Sequence, residues 1–173
     1  MDLIAAGHAD EELLLDLLNT TPVVDGVARD DLEDAKAARK WMREHGIAPS
    51  EAELAALIAA RATLQAIVRG HQSPVTLDGL LNGVTLRPVA TADGLRWRTE
   101  LDGAPEGAGR AVLAWDGLRI SSPGRLRPCA NDDCRLFLID RSKPNTARWC
   151  SMAVCGNRMK ARRHYRRARS AID

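Results

Sequence analysis

The chain has 173 residues, enough for one ordinary domain and a small appended module, and its 45% hydrophobic content excludes wholesale disorder. No apolar run approaches about 18 residues, and the first ten residues lack the features of a secretory signal, so we expect no membrane span and a cytoplasmic protein. Residues 1–124 carry 12 Lys and Arg against 19 Asp and Glu, whereas residues 125–169 carry 13 against 3. The sequence therefore predicts an acidic body and a basic C-terminal part, divided at the linker-like residues 121–124.

Three helices are predicted in the first half of the body. The leucine-rich segment 10–19 forms the first, and residues 31–45, with apolar residues at helical spacing, form the second. The third runs from Ser50 to Gly70, and Ser50 with Glu53 makes a capping-box pattern at its start.

A hairpin is predicted next, because the strand-like segments 84–90 and 95–101 flank an Asp-Gly turn. Residues 107–117 are expected to form a further short helix. The body is thus mainly helical with a small sheet, and the tryptophans expected in its core are Trp41, Trp97 and Trp115.

All four cysteines lie in the last third of the chain, as the pairs Cys129 with Cys134 and Cys150 with Cys155. Two such pairs brought together supply the four soft ligands of a tetrahedral zinc site, and a reducing compartment favours metal over disulfides. The surrounding segment also has too few apolar residues to fold without a metal or disulfides. Disulfides or unpaired buried thiols are the alternatives. Four thiolates close the tetrahedron, so one structural rather than catalytic Zn²⁺ is predicted.

The order of elements around the cysteines predicts a treble-clef-like finger. Residues 135–140 are expected to form a strand, residues 141–145 a turn, and residues 146–149 a returning strand. Ser151 is the expected N-cap of a helix that runs to about Arg169. The predicted fold class is therefore α+β, a mainly helical N-terminal domain followed by a zinc finger ending in a basic helix.

This last helix carries seven cationic side chains and no acidic one, which predicts contact with nucleic acid: Arg158, Lys160, Arg162, Arg163, Arg166, Arg167 and Arg169. Phosphate contact is favoured over base recognition, since arginines alone fix affinity rather than sequence. A solvated tail, or a surface that docks on the acidic body, is the alternative. Two arginines beside the ligands, Arg148 and Arg158, are expected to neutralise the zinc–thiolate centre as donors to sulfur.

Residues 149–158 (WCSMAVCGNR) closely resemble the CGNR zinc finger family, named for the tetrad at 155–158, and the similarity extends over about residues 125–169. The body resembles the ABATE domain through residues 15–20 (LDLLNT) and Trp41. The resemblance implies a bacterial, stress-responsive transcriptional regulator. In it, an N-terminal regulatory or sensor domain, residues 1–120, precedes a DNA-binding finger, residues 125–170.

The leading hypothesis is thus a zinc-containing regulator that binds duplex DNA and is modulated by a small-molecule effector. Asn19 and Thr20 follow the first helix and either point into an effector pocket or cap the helix before Pro22, and the cap is favoured. RNA binding and a zinc–thiolate redox or protein-interaction module are the alternatives; the few aromatic residues count against single-strand binding. An enzyme is not expected, because no nucleophile–base pair or phosphate loop stands out. A homodimer is expected only because one finger supplies few specific contacts.

Overall fold

The computed structural model describes residues 8–169 and confirms the α+β class. Its elements in chain order are α1 (His8–Leu18), β1 (Val23–Val24), β2 (Val27–Ala28), α2 (Ala35–Glu44), α3 (Glu51–Val68), a 3₁₀-helix (Pro74–Leu80), β3 (Val84–Thr91), β4 (Gly94–Leu101), α4 (Glu106–Ser121), β5 (Leu126–Pro128), β6 (Phe137–Ile139), a π-helical turn (Met152–Gly156) and α5 (Asn157–Arg169). None of the helices in this described part is long and apolar enough to cross a bilayer.

The core is built where α1, α3 and α4 pack together. Four leucines of α1 are completely buried, and burying each side chain contributes about 1.5–3 kcal/mol. Small residues along α4 let the three helices approach closely. Phe137 of β6 belongs to the same buried cluster, so the cysteine-containing segment and the body share one hydrophobic core.

The start of α4 depends on an acidic side chain from α3. Ser50 caps α3 as predicted, with its Oγ 3.0 Å from the backbone N of Glu53. The Glu53 carboxylate is 7% exposed and accepts hydrogen bonds from the backbone N–H groups of Glu106 and Gly107, at 2.9 and 2.8 Å. Pro105, the N-cap of α4, offers no side-chain hydrogen bond. Glu53 therefore satisfies amide groups that every helix start leaves free.

Gly107 leaves no room for a side chain at this junction. A Cβ atom there would lie 2.5 Å from Cδ1 of Ile47 and 3.0 Å from Oε1 of Glu53. Both neighbouring side chains are buried, so neither can move away cheaply.

The described strands form three two-stranded antiparallel sheets. The predicted hairpin is present as β3 and β4, with Pro88 opposite Trp97. Trp97 is nevertheless 37% exposed, so its assignment to the core was wrong. The strands β3 and β4 pack mainly against each other, and the hairpin projects from the helical body. Trp115 is buried as predicted, and Trp41 is half-buried against the core.

The helix before the predicted linker is longer than expected. It ends at Ser121 rather than at 117, and a short turn closed by the backbone hydrogen bond from Arg125 to Ser122 leads directly into β5. The segment is therefore a tight connection rather than an extended linker.

The strand expected over residues 146–149 was wrong, because β6 pairs with β5 instead. The buried Asp140 carboxylate accepts hydrogen bonds from the backbone N–H groups of Ser142 and Ala147, at 2.8 and 2.7 Å. These bonds, together with Asn145 at a φ of +51°, fold residues 141–147 into a loop. Residues 146–149 therefore do not pair with β6 as a strand. The first cysteine pair consequently lies in the connection between β5 and β6.

Candidate metal centre and basic helix

Two short backbone turns bring the four cysteines together. Cys129 directly follows β5, and its N–H donates to the carbonyl oxygen of Leu136 at 2.8 Å, which closes the first loop before β6. Cys134 lies inside that loop, while Cys150 and Cys155 flank and enter the π-helical turn. All four Sγ atoms lie within 4.8 Å of one another.

The sulfur geometry fits a tetrahedral metal. The Sγ of Cys150 lies 3.7 Å from the Sγ of Cys134 and 3.7 Å from that of Cys155. A regular tetrahedron with zinc–sulfur bonds of about 2.3 Å has edges of about 3.8 Å. Four soft sulfur donors at this spacing match one structural zinc ion, and the predicted cofactor is confirmed.

The electrostatics of the site also call for a cation. Burial raises the pKa of the Cys134 thiol to about 11, and burial together with the neighbouring thiols raises the pKa of Cys150. Burial also opposes ionisation of Cys155, yet hydrogen bonds from Asn131 and the other thiols lower its pKa below the ordinary value. Four adjacent thiolates therefore need a compensating positive charge, which a divalent metal supplies.

Asn131 supports the cluster from within the first loop, and sequence reasoning missed it. Its side chain is completely buried, and its Nδ2 donates to the Sγ of Cys155 at 3.5 Å. The backbone N–H of Cys150 donates to the Sγ of Cys129, also at 3.5 Å. The only sign of this role in the sequence is the position of Asn131 between the paired ligands Cys129 and Cys134.

The two arginines expected to neutralise the thiolates lie elsewhere. The guanidinium of Arg148 lies over the Trp149 ring, 5.1 Å from its centroid, and Arg158 is exposed. Within residues 8–169, neither guanidinium donates a hydrogen bond to a cysteine sulfur. Donors to sulfur are instead an amide side chain and a backbone N–H.

The basic helix follows directly from the zinc-binding turn. Ser151 accepts a hydrogen bond from Val154 N at 3.4 Å, as expected of an N-cap, and the π-helical turn passes into α5 at Asn157. The basic side chains that the structure describes on α5 are all exposed: Arg158, Lys160, Arg162, Arg163 and Arg167. The side chains of Arg166 and Arg169 lie outside the described part. Arg162 forms an ion pair with Asp133 of the first cysteine loop.

The finger is fastened to the body by polar contacts around β6. The Asn19 side chain accepts from the backbone N of Phe137 at 2.7 Å and donates to the carbonyl oxygen of Phe137 at 3.3 Å. Arg69 of the body donates to the carbonyl oxygen of Arg135 at 2.8 Å and stacks 4.3 Å from the Phe137 ring centroid. Arg141 pairs with Glu11 at 2.5 Å.

The two polar residues considered for an effector pocket both make structural hydrogen bonds. Asn19 holds β6 as described, and Thr20 donates from Oγ1 to the carbonyl oxygen of Leu17 at 2.8 Å, at the end of α1. The same Oγ1 accepts from the buried Arg61 at 2.7 Å. Thr20 therefore fixes the end of α1, as the favoured interpretation expected, whereas the Asn19 side chain holds β6 and does not cap the helix; the effector pocket stays a prediction.

Residues 125–168 match the family described as the CGNR zinc finger, and residues 11–136 match ABATE, described as a "putative stress-induced transcription regulator". Both families are the ones that the sequence resembles, and neither description names an enzymatic activity. No curated protein matches the chain. The two matched ranges overlap over β5 and the first cysteine pair, where the finger and the body share their structure.

Proposed function

Because the chain belongs to the ABATE family and carries a CGNR zinc finger at its C-terminal end, we propose that it is a zinc-dependent transcriptional regulator whose helix α5 binds duplex DNA. The coarser conclusion, a zinc-binding regulator, follows from the two families and the cysteine cluster. The observation that carries the proposal is the set of exposed cations on α5, which begins two residues after the last zinc ligand.

Helix α5 has the dimensions and the charge for DNA. Its 13 residues contain seven Arg and Lys and no acid, and span about 20 Å at ~1.5 Å per residue. Such a helix fits a major groove about 12 Å wide or lies along the phosphate backbone. The acidic residues of the body repel DNA phosphates, so DNA does not bind non-specifically to the rest of the molecule. Binding is therefore directed to the finger.

The zinc ion orders the finger, and the body modulates it. Structural zinc in small modules contributes binding free energy on the order of 10–16 kcal/mol, which is ample to fold a segment with so small a core of its own. Residues 1–120 carry the regulatory role in this proposal and bind the small-molecule effector. The contacts of Asn19 and Arg69 with residues 135–137 give the body a direct route to the finger. The protein acts in the bacterial cytoplasm, and a homodimer would double the contacts with DNA.

The experiment is a fluorescence anisotropy titration of the full-length, zinc-loaded chain with a labelled duplex at low salt. The proposal expects binding that is lost when a chelator removes the zinc and returns when zinc is restored. No binding to any duplex would contradict it.

RNA is tested in the same assay, because a basic helix also attracts RNA phosphates. Unlabelled duplex RNA of the same sequence should compete less well than duplex DNA, since an A-form major groove is too deep and narrow for an inserted helix. Stronger competition by RNA would assign the finger to RNA instead.

A further inference from the structure

A groove lies between Arg148 and Trp149, which precede Cys150, and one face of α5. It has a volume of about 220 Å³, far above the ~10–15 Å³ that admits one water molecule, and its lining consists of Arg148, Trp149, Met159, Arg162, Arg163 and Arg167. Met159, Arg163 and Arg167 recur every four residues and so share one face of α5. The groove is therefore built from one face of α5 and from the two residues that precede the zinc ligand Cys150.

The lining combines four guanidinium groups with one aromatic ring. Arg162 alone among them has an acidic partner in the described part of the chain, namely Asp133. Arg148, Arg163 and Arg167 are exposed cations without such a partner within residues 8–169. Like charges around one cavity favour an anion between them, and planar guanidinium groups match the oxygens of a phosphate with paired hydrogen bonds.

Trp149 gives the groove a second chemical character. It is half-buried beside the zinc ligand Cys150, and its ring already stacks with the Arg148 guanidinium. An indole in this position offers an apolar face to a sugar or base attached to the phosphate. A bare inorganic anion would use only the charged half of the lining.

We propose that this groove binds one nucleotide unit, with the phosphate held by Arg148, Arg163 and Arg167 and the attached nucleoside packed against Trp149. As a nucleic-acid site the assignment rests on the proposed function, whereas the phosphate chemistry is the same in a free nucleotide. It follows that the cations of α5 are unequal: those in the groove hold a defined phosphate, and Lys160, outside the groove, adds only general attraction.

The test follows the indole N–H signal of Trp149 by NMR in the full-length zinc-loaded chain, assigned with a Trp149→Phe variant. The probes are deoxythymidine monophosphate, a dinucleotide with one phosphodiester, and a short DNA duplex. Arg163→Ala removes a groove cation, and Lys160→Ala is the matched control, because both residues are exposed cations on α5.

The expected result is a saturable shift of the Trp149 signal with the dinucleotide, weakened at least about fivefold by Arg163→Ala and less than twofold by Lys160→Ala. Because one neutralised phosphate contributes about 0.9 to the slope of log K against log salt, Arg163→Ala should flatten the duplex slope by at most about that amount, since Arg148 and Arg167 still face the same phosphate.

Each outcome separates the two proposals. Duplex binding with equal effects of the two variants overturns the groove and leaves the proposed function standing. A shift with the mononucleotide that depends on Arg163, without duplex binding, keeps the groove as a nucleotide site and removes the DNA-binding proposal. No shift with any probe overturns the groove assignment, whatever the duplex assay gives.

Discussion

Replacing Asn131 by Ala tests how the first cysteine loop supports the zinc. The substitution removes the Nδ2–H donor to the Cys155 sulfur, and also the Oδ1 acceptor 3.4 Å from the backbone N of Asp133. Because Asn131 is completely buried, water cannot easily replace either bond. We expect zinc affinity to fall by about 10–100-fold, the usual effect of losing a residue that hydrogen-bonds a metal ligand.

Asn131→Asp sharpens this prediction. It keeps the size of the side chain but removes the N–H donor and places a carboxylate beside a centre of four thiolates and one Zn²⁺, which already has a net charge of about −2. The loss of zinc affinity should therefore exceed that of Asn131→Ala. Were packing alone the role of Asn131, the Asp variant would instead be the milder of the two.

Competition with a colorimetric zinc chelator gives the affinities. Asp132→Ala serves as the control, since Asp132 is exposed and belongs to the same loop. Zinc affinities for Asn131→Ala and Asp132→Ala that agree within twofold would refute the assigned role of Asn131.

Three further predictions concern the body and the rim of the groove. Asp30→Asn leaves the buried Arg61 guanidinium without its carboxylate partner at 2.6 Å. The free energy of unfolding in urea should fall by about 2–3 kcal/mol, which is less than for a fully buried pair because a third of the Asp30 side chain is exposed. The hydrogen bond from Arg61 lowers the pKa of Asp30 below 3.8. In the wild type, the stability that this pair contributes is therefore present above that pH and is lost as the pH falls through the lowered pKa. An Asp30→Asn variant whose unfolding is as sensitive to acid as that of the wild type would disprove this contribution. Gly107→Ala should destabilise the protein by about 1–2 kcal/mol in the same assay, since overpacking outweighs the better helix propensity of Ala, and a stabilised variant would contradict the tight junction. Asp133→Asn frees Arg162 from its ion pair and should raise the affinity for duplex DNA several-fold in anisotropy titrations. Unchanged or weaker binding would show that the ion pair with Asp133 does not limit DNA binding by Arg162.

The parts of this protein that were predictable depend on local patterns. The spacing of the cysteines and the poor core of their segment predicted the zinc site, because such a segment needs a metal or disulfides to fold and two short cysteine pairs are typical zinc ligands. The start of α3 was predictable from Ser50 because an N-cap acts within four residues. The exposed basic face of α5 likewise follows from the sequence of the helix alone.

The parts that were missed depend on contacts distant in sequence. Glu53 fits a local capping box, yet its carboxylate caps α4, more than fifty residues further along the chain. Asp140 and Asn145 fold residues 141–147 into a loop that extends into the segment 146–149, where a strand was predicted. The hairpin β1–β2 was a local failure, since Asp25-Gly26 is a known turn pair and takes the left-handed φ values, +51° and +80°, that such a turn requires.

The salt dependence of duplex binding measures how many phosphates the cations of zinc-ordered α5 neutralise. If the groove phosphate and one phosphate each at Arg158 and Lys160 are neutralised, log K should fall with log salt at a slope of about −2.7 for the zinc-loaded chain. Chelation of the zinc should abolish this binding. A slope near zero, or binding unaffected by the chelator, would show that the zinc-ordered helix does not bind DNA through its cations.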